Sequence, residues 1–471
     1  MERIEDIKKN AIQTNLNKTF EFLRRFNRSK KGTIISQYPT INGIDISFKR
    51  TYRKFLYETS EILSKGPPVK FQHLGYRMIK PFKIQSNDEL YDVKYGACHV
   101  STNIGSGFNS KGELCELDWN FDESKGYYRA LLPLSEFSHP PVNYILGSAF
   151  KVGRSTRYHG YIPVSLGSHK LAFYDYDYKK QRYLVVDSLT SMDYPEFEKA
   201  VEAIIYSFGF LSGSLTRDEL TIFSHSESSF KKVSGFQFRQ TEDTIRSSLG
   251  IINPREHKEY DNLDKAIYFS EEDFSKLATV CFNELPFKRA IRIITQSRNL
   301  PQEIETASFF VALETIKNLI ITSNEEKIRS FKNQEDANKL ILDCKALVNK
   351  LDDSKLNFKQ RVLNKMDQLN DIGNNESFLI SFDLMGLKLN KAEKQCIKKR
   401  NRFLHGNMPF ENEPESVKTK ELSEIALRTH YLVSSLILKY AGCSCYLKNT
   451  LKYLDLANGE NKVDEPLFKK I

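Results

Sequence analysis

Residues 416–442 have the sequence SVKTKELSEIALRTHYLVSSLILKYAG, which is the clearest structural signal in the chain. The apolar side chains recur at spacings of three and four, as they do on one face of an α-helix. They are Leu422, Ile425, Ala426, Leu432, Val433, Leu436, Ile437 and Tyr440. Ser416 is suited to cap the first turn, and Gly442 stands where a glycine commonly ends a helix. The pattern predicts one long helix over residues 417–441.

The same spacing extends back to about residue 270, and glycine becomes rare over this part of the chain. Further helices are predicted near 271–284, 287–297, 302–321, 325–350, 356–371 and 390–405. This succession of helices without intervening strands is typical of a helical bundle. We therefore predict an all-α domain over residues 256–450, followed by a C-terminal tail over residues 451–471.

The first 255 residues have a different pattern, with short β-branched or alternating stretches and many glycines. Strands are predicted over 33–38, 43–48, 171–176 and 182–187, with a hairpin turn between the last two. One helix is predicted after Asp193, with Pro195 in its first turn and Gly209 at its end. Asn253 and Pro254 favour a turn and indicate a linker. The whole chain is thus predicted to be α+β, with a β-rich N-terminal module of residues 1–255 before the bundle.

Composition limits the class of protein. The chain has 471 residues, of which 40% are apolar and 28% charged, so a small module and a wholly disordered chain are both excluded. The formal net charge of +10 permits a polyanionic partner without requiring one. The N-terminus lacks the apolar core of a signal peptide, no stretch is long enough to span a bilayer, and seven cysteines do not suggest a disulfide scaffold. A cytoplasmic protein with reduced thiols and no membrane contact is expected.

Cofactor motifs are weak throughout the chain. Gly105-Ser106-Gly107 lacks the third glycine of a dinucleotide fingerprint, and no phosphate-binding loop motif occurs. Cys443 and Cys445 have no second cysteine pair at zinc spacing. Five acids surround the single Trp119 and are more typical of a solvated strand face than of a cation site: Glu113, Glu116, Asp118, Asp122 and Glu123. We therefore predict no cofactor and no metal.

The strongest chemical signal is the basic cluster between residues 391 and 402. It contains six basic residues and one acid: Lys391, Lys394, Lys398, Lys399, Arg400, Arg402 and Glu393. Such local charge attracts a phosphate backbone. Arg400 could hold charge on a phosphoryl group, His405 could transfer a proton near neutral pH, and Asn401 could orient either group. These groups suffice for metal-independent cleavage of RNA, where the ribose 2′-hydroxyl is the nucleophile.

Helical geometry sets a condition on this site. Asn401 and His405 are four residues apart and share a face of a continuous helix, whereas Arg400 and His405 diverge by about 140°. Gly406 and Pro409 suggest that the helix ends at about His405, which would free the imidazole to turn. A second copy of the motif across a symmetric dimer would supply the missing partners.

The segment Arg400-Asn401-Arg402-Phe403-Leu404-His405 resembles the R-N-x-x-x-H signature of HEPN-domain ribonucleases. Upstream, residues 309–316 are similar to an early bundle helix of the ApeA-like antiphage proteins, with Leu313 and Glu314 at its Leu-Glu pair. The resemblance covers residues 270–445. It implies a dimerising all-α bundle, a composite active site and cleavage of RNA without a metal.

By family role, His405 would be the general acid or base, Arg400 the clamp on the transition state and Asn401 the orienting group. Lys398, Lys399 and Arg402 would bind and guide the substrate, which would be tRNA or mRNA. The resemblance further implies an effector of bacterial antiphage defence by abortive infection, or a toxin. The N-terminal module would sense a phage-derived or nucleotide trigger, or restrain the nuclease until one binds.

Two alternatives remain open on the residues alone. The basic cluster could be a helix end whose cations complement the helix dipole, in a non-catalytic scaffold that dimerises and binds RNA or protein. Glu314 could face Arg400 and His405 and tune their charge, or it could lie on an exposed helix face near Lys317.

Overall fold

The structure is a computed structural model. It describes residues 15–37, 42–51, 54–59, 76–79, 81–102, 108–134, 142, 146–152, 155–159, 161–216, 219–240, 245–246, 250–251, 269–297, 300–329, 331, 333–351, 358–369, 372–404, 410, 412–460 and 462–471. The chain divides into two compact units, residues 1–283 and residues 284–471. The predicted boundary near residue 255 and its linker at Asn253 and Pro254 lie outside the described residues.

The first unit is rich in strands, as predicted. Helix α1 covers residues 15–24. The strands are β1 (Lys30–Ile35), β2 (Asp45–Thr51), β3 (Lys54–Thr59), β4 (Tyr76–Ile79), β5 (Phe82–Ser86), β6 (Glu89–Thr102), β7 (Phe108–Trp119), β8 (Tyr127–Pro133), β9 (Leu146–Val152), β10 (Ser155–His159), β11 (Ile162–Leu166), β12 (His169–Tyr178), β13 (Gln181–Ser188), β14 (Ser214–Leu215), β15 (Glu219–His225), β16 (Val233–Gln240), β17 (Ile245–Arg246) and β18 (Phe269–Ser270). Two longer helices are α2 (Tyr194–Ser212) and α3 (Glu271–Asn283).

Thirteen of these strands form one sheet in the order β11-β12-β13-β8-β15-β16-β7-β3-β2-β1-β5-β6-β4. Neighbouring strands run antiparallel, and an additional pairing of β6 with β7 closes six strands into a ring. The predicted hairpin turn is present between β12 and β13, where Lys179 and Lys180 both have positive φ, as a two-residue turn requires.

Helix α1 supplies apolar side chains to the core of this sheet. Leu16, Phe20 and Leu23 follow helical spacing and are buried, and Phe26 lies just beyond them at 2% exposure. The aromatic rings of Phe26 and Phe236 pack edge to face with centroids 4.5 Å apart. Helix α1 is thus amphipathic, and its apolar face packs into the core of the sheet.

A buried ion pair joins three strands of the sheet to α1. Arg129 on β8 has no exposed surface and donates from Nε and Nη2 to the two carboxylate oxygens of Asp187 on β13, at 2.7 and 2.9 Å. Its Nη1 donates to the Thr19 hydroxyl at 3.1 Å, and Tyr174 donates to Asp187 at 2.8 Å. The guanidinium lies 4.5 Å from the centroid of the Phe230 ring. Each nitrogen of the Arg129 guanidinium and each oxygen of the Asp187 carboxylate therefore has a hydrogen-bond partner.

Helix α2 begins after Asp193 with proline in its first turn, as predicted, but it does not end at Gly209. It continues to Ser212, and Gly213 ends it in the left-handed conformation with φ 75°. Gly209 instead permits close packing, because a Cβ there would lie 3.0 Å from Cδ1 of Leu215. The expectation that Gly209 stops the helix was wrong for this reason.

Helix α3 was predicted to open the bundle, but it packs within the first unit against α2 and β11. Phe274 stacks on Phe173 at 5.8 Å, and the Thr279 hydroxyl donates to the carbonyl of Ser165 at 3.1 Å. An amphipathic helix can cover a sheet or another helix, so its period alone does not identify its partner.

The second unit is mainly helical. Its helices are α4 (Leu285–Gln296), α5 (Gln302–Ser323), α6 (Glu325–Ile328), α7 (Gln334–Asn349), α8 (Lys359–Asp367), α9 (Asn374–Leu384), α10 (Lys391–Leu404), α11 (Glu415–Tyr440) and α12 (Thr450–Ala457). A short antiparallel pair joins β19 (Tyr446–Lys448) to β20 (Phe468–Lys470). The predicted α+β class, with a β-rich part before a helical part, is confirmed at this level. Within the described ranges, no helix combines the length and apolarity that a bilayer crossing requires.

Helix α5 is central to this unit and packs against α4, α9, α10 and α11. The predicted helix over 325–350 is interrupted between Ile328 and Gln334, where the Asn333 side chain caps α7 by accepting from the backbone N–H of Glu335 at 2.9 Å. Helix α9 was not predicted. Its buried face alternates Ser377 and Ser381 with Phe378 and Phe382, and the serines conceal the apolar period.

The long last helix is confirmed, with a correction at its start. Helix α11 begins at Glu415 after Pro414, so Ser416 lies inside it and does not cap it. Gly442 adopts φ 73° after the helix, as expected of a terminating glycine. The segment expected as a tail contains α12 and β20, and the carboxylate of Glu465 accepts from the Asn449 side chain at 2.7 Å and pairs with Arg428.

Candidate functional site

Helix α10, which carries the basic cluster, is fixed at its start by a reciprocal cap. The Asn390 side chain accepts from the backbone N–H of Glu393 at 2.8 Å, and the Glu393 carboxylate accepts from the backbone N–H of Asn390 at 2.7 Å. The buried face of the helix then consists of Glu393, Cys396, Ile397 and Arg400. This spacing places the Arg400 guanidinium on the inner side of the bundle.

Arg400, the residue expected to clamp the transition state, is 3% exposed and is therefore enclosed by protein. Its Nη2 donates to Oδ1 of Asn401 at 2.8 Å, and its Cζ lies 4.2 Å from the centroid of the Phe378 ring on α9. Its Nε and Nη1 have no hydrogen-bond partner among the described residues. Burial lowers the pKa of Arg400, and the nearby charge of Glu314 opposes that shift. Arg400 is thus a buried cation with spare hydrogen-bond donors.

Glu314 and Lys317 are both on helix α5 and lie close to the Arg400 guanidinium. The Lys317 ammonium is 4.0 Å from a carboxylate oxygen of Glu314 and 4.7 Å from the centroid of the Phe378 ring. Burial lowers the pKa of Lys317, Glu314 raises it and the like charge of Arg400 lowers it further. Glu314 is therefore a partly exposed residue, 36% in its side chain, that neighbours the buried Lys317 and whose charge acts on Arg400.

The other basic residues of α10 differ in their exposure. Lys391, Lys394, Lys398 and Arg402 are exposed on the outer side of the helix, and the neutral Asn401 is exposed there as well. Lys399 is half-buried; its ammonium is 3.3 Å from the Glu421 carboxylate and 5.6 Å from the centroid of the Phe410 ring. The outer face is therefore a continuous basic surface, hereafter the α10 basic face, made by Lys391, Lys394, Lys398 and Arg402.

The structure brings together Arg400, Asn401 and Glu314, while His405 lies outside the described residues. Lys317 was predicted only as a neighbour of Glu314, and Phe378 was not predicted at this site. Lys317 follows Glu314 by one helical turn, so its nearness to Glu314 was readable from spacing. Phe378 was not recognisable, because helix α9 itself was missed.

The acids around Trp119 on β7 are engaged with basic side chains. Glu113 pairs with Lys54 at 2.7 Å and Asp118 with Lys94 at 2.7 Å. Glu116 pairs with Arg239 at 3.3 Å. No group of three or more metal-ligating side chains occurs among the residues that the structure describes. These acids serve ion pairs of the sheet.

Comparisons with protein-family models, with curated proteins and with solved structures give no match to this chain.

Proposed function

We propose that the protein is a metal-independent endoribonuclease of the HEPN type, in which the helical unit cleaves RNA. The observation that carries the proposal is the pair formed by Arg400 and Asn401 beside the α10 basic face. Arg400 keeps two nitrogens without a hydrogen-bond partner among the described residues, and Asn401 bonds its third nitrogen from an exposed position. A buried arginine with spare donors costs stability, which suggests that a ligand completes its bonding.

In the proposed reaction, the ribose 2′-hydroxyl attacks the adjacent phosphorus atom and the 5′-oxygen leaves. His405 removes the proton from the hydroxyl or returns one to the leaving oxygen, and a 2′,3′-cyclic phosphate remains. Arg400 donates hydrogen bonds to the phosphoryl oxygens as their negative charge increases. Asn401 orients the guanidinium, since it already accepts a hydrogen bond from Nη2 at 2.8 Å.

The α10 basic face would guide RNA to this pair. Lys398 and Arg402 are exposed on the same side of the helix as Asn401, so a phosphate backbone that follows them reaches the carboxamide first. A shift of the Asn401 side chain would then expose the guanidinium of Arg400. A second copy of the chain would bring another such pair to the seam of a homodimer, as the family resemblance implies.

The β-rich unit would regulate this activity, in keeping with a role as an antiphage effector or toxin. We expect it to restrain cleavage until a phage-derived or nucleotide trigger binds. Comparison of the full chain with the helical unit alone, residues 284–471, tests this part of the proposal. Faster cleavage by the segment supports restraint, and equal cleavage contradicts it.

The decisive experiment compares the wild type with His405→Ala on cellular RNA and on a purified transcript. We expect His405→Ala to reduce cleavage by a factor of about 10²–10⁴ and to abolish toxicity on induction. Wild-type cleavage should survive a chelator and leave cyclic phosphate ends. Lys339→Ala is a suitable control, because it removes one exposed charge from helix α7, outside the α10 basic face, and leaves the reacting groups in place.

The non-catalytic scaffold gives the opposite outcome. Such a protein would bind RNA or its partner equally well with His405→Ala, and RNA ends sequenced after induction would not differ between the two proteins. The burial of Arg400 is the observation that favours this alternative, since a structural arginine is also expected to be enclosed.

A further inference from the structure

The β-rich unit carries a basic surface at the point where α1 leads into β1. A single 3₁₀ turn over Arg25–Asn27 lies between these two elements and packs against β2. Five basic side chains of this region are exposed, and together they are hereafter called the β1 basic patch. They are Arg24, Arg25, Arg28, Lys31 and Lys49. All five belong to the first unit, whereas the α10 basic face belongs to the second.

Strand register places the two lysines of the patch on the same face of the sheet. Lys31 on β1 is the register partner of Ser47 on β2, and Lys49 follows Ser47 by two residues. Register partners, and residues two apart on one strand, point to the same side of a sheet. Phe48, between Ser47 and Lys49, points to the other side and is buried in the core at 1% exposure. Lys31 and Lys49 therefore project outward from the ring of strands.

The bases of the patch have no acidic partner, unlike their neighbour Lys30. The Lys30 ammonium lies 2.6 Å from the Glu89 carboxylate. By contrast, no residue of the patch forms an ion pair within the part of the chain that the structure describes. Three exposed acids flank the patch without pairing to it, namely Glu21 on α1, Asp45 on β2 and Glu58 on β3. The bases outnumber these acids, and a bound polyanion would reduce the repulsion between them.

Arg25 is held in a position that suits contact with a phosphate. Its Cζ lies 5.4 Å from the centroid of the Phe22 ring, which in turn packs against Trp119 at 5.2 Å. The Arg25 guanidinium makes no hydrogen bond to any described residue, so its N–H donors are available. Glu89 is near enough to feel the charge of Arg25, but its carboxylate is already paired with Lys30. An arginine whose face lies over an aromatic ring can still donate from its edge to two oxygens of one phosphate.

The patch offers charge without an adjacent apolar surface. The apolar residues of α1 and of the turn after it are buried in the sheet core: Leu16, Phe20, Leu23 and Phe26. The helix therefore has no apolar face left to insert into a bilayer or to anchor a protein partner. Ile35, four residues beyond Lys31 on β1, is an isolated exposed apolar residue of an ordinary kind. Contact with a phosphate backbone needs only positive charge and hydrogen-bond donors.

We propose that the β1 basic patch binds the phosphate backbone of a nucleic acid without reading its bases. Phe22 is half-buried beneath Arg25 and Phe26 is buried, so neither ring is available to stack on a base. RNA and DNA strands should therefore bind alike. This binding needs neither His405 nor a ribose 2′-hydroxyl, so it stands or falls apart from the proposed cleavage of RNA.

The test is fluorescence anisotropy of the full-length protein with oligothymidylate and with a 2′-O-methyl RNA of the same length, neither of which can undergo the proposed cleavage. The test variant combines Arg24→Gln, Arg28→Gln and Lys31→Gln. We expect it to bind both strands more weakly by a factor of about 10 or more at about 50 mM salt. The slope of log K against log salt concentration should fall by about 2, since each phosphate contact to a single strand contributes about 0.7.

The matched control removes the same number of charges outside both basic surfaces. It combines Lys170→Gln, Lys339→Gln and Lys365→Gln, three exposed lysines without an ion pair among the described residues. We expect its affinity to stay within about threefold of the wild type. Equal losses in the test variant and the control, or no loss in the test variant, would overturn the proposal. Stronger binding to phosphatidylserine vesicles than to either strand, lost in the test variant, would identify a membrane surface and overturn it as well.

Lysine footprinting locates the contact without any substitution. The wild-type protein is acetylated briefly with and without oligothymidylate, and the modified lysines are quantified by mass spectrometry. Lys31 and Lys49 should be protected by the oligonucleotide, and Lys170 should react at the same rate in both samples. Unchanged reactivity of Lys31 and Lys49 under saturating oligonucleotide would refute the β1 basic patch as the binding surface.

Discussion

Two buried arginines, one in each unit, have similar aromatic neighbours and different polar ones. Arg129 and Arg400 are 0% and 3% exposed, and each guanidinium lies over a phenylalanine ring, at 4.5 and 4.2 Å. Arg129 has a bidentate carboxylate partner in Asp187 and a third bond to Thr19. Arg400 has one bond, to the neutral side chain of Asn401, and two nitrogens without a partner among the described residues.

This difference separates a cation that holds the fold together from one that is available for a ligand. A buried charge with its full set of partners connects elements of the structure, and loss of either partner leaves the other charge uncompensated. A buried charge without such partners lowers stability and is expected to be retained for another reason. For Arg400, we propose that the reason is contact with RNA.

The largest effect on stability is expected at Asp187. Asp187→Ala removes both acceptors of the Arg129 fork and should lower the free energy of unfolding by about 3–5 kcal/mol. Urea denaturation measures the change. Asp88→Ala, at an exposed turn of the same unit, should change it by no more than about 0.5 kcal/mol. A loss below about 1 kcal/mol for Asp187→Ala would contradict the structural role of this pair.

A smaller effect is expected at Arg428, a buried arginine in the same unit as Arg400. It is 7% exposed, lies 3.3 Å from Glu424 and pairs with Glu465, which accepts from Asn449. Arg428→Met should cost about 2–3 kcal/mol in thermal or urea unfolding, because the half-buried Glu465 carboxylate loses its cation.

Arg402→Met is the matched control for Arg428→Met, since Arg402 is exposed. It should stay within about 0.5 kcal/mol of the wild type. Equal stability of the two variants would show that the ion pairs of Arg428 contribute no more to stability than an exposed arginine does.

Lowering the pH should reduce the free energy of unfolding through a histidine near Arg129. The expected loss is comparable to that of Arg428→Met. Burial and the charge of Arg129 lower the pKa of His225 to about 4, and its Nδ1 is 2.9 Å from the Lys232 carbonyl. The unfolded chain binds this proton near pH 6.5, so the folded state loses stability as the pH falls below that value. We expect a loss of about 2 kcal/mol between pH 7 and pH 5 from this group.

His225→Asn isolates this contribution. Its amide can still donate to the Lys232 carbonyl but does not titrate, so its unfolding free energy should decline less steeply with acid than that of the wild type. Parallel pH profiles for the two proteins would mean that His225 takes up a proton as readily in the folded state as in the unfolded one.

Local sequence patterns predicted where the helices and strands of this protein lie better than they predicted which other elements these pack against. The apolar period of residues 422–440 specified α11, and positive φ at Gly442 ended it as expected. The same kind of period in α3 did not reveal that this helix packs on β11 and α2, because packing partners depend on distant residues. Serines on the buried face of α9 hid that helix altogether.

The sequence predicted which residue types form the candidate site. It did not predict which side chains enclose them. The basic cluster of α10 and the adjacent Arg400 and Asn401 are visible in the sequence. Helical spacing could have shown that Arg400 continues the buried row of Cys396 and Ile397, but its contact with Phe378 comes from the preceding helix α9, which was not predicted. Burial of a charged residue is a tertiary property, and a single sequence contains no direct signal for it.

The most direct test of the account is Arg400→Met, measured for both unfolding and RNA cleavage. Methionine fills a similar volume without a buried charge, so we expect the free energy of unfolding to stay unchanged or to rise by about 1 kcal/mol. RNA cleavage should fall by a factor of about 100 or more. A variant that unfolds more easily by about 2 kcal/mol, or that still cleaves RNA at the wild-type rate, would contradict the claim that Arg400 is kept buried for the reaction, with two nitrogens that have no partner among the described residues.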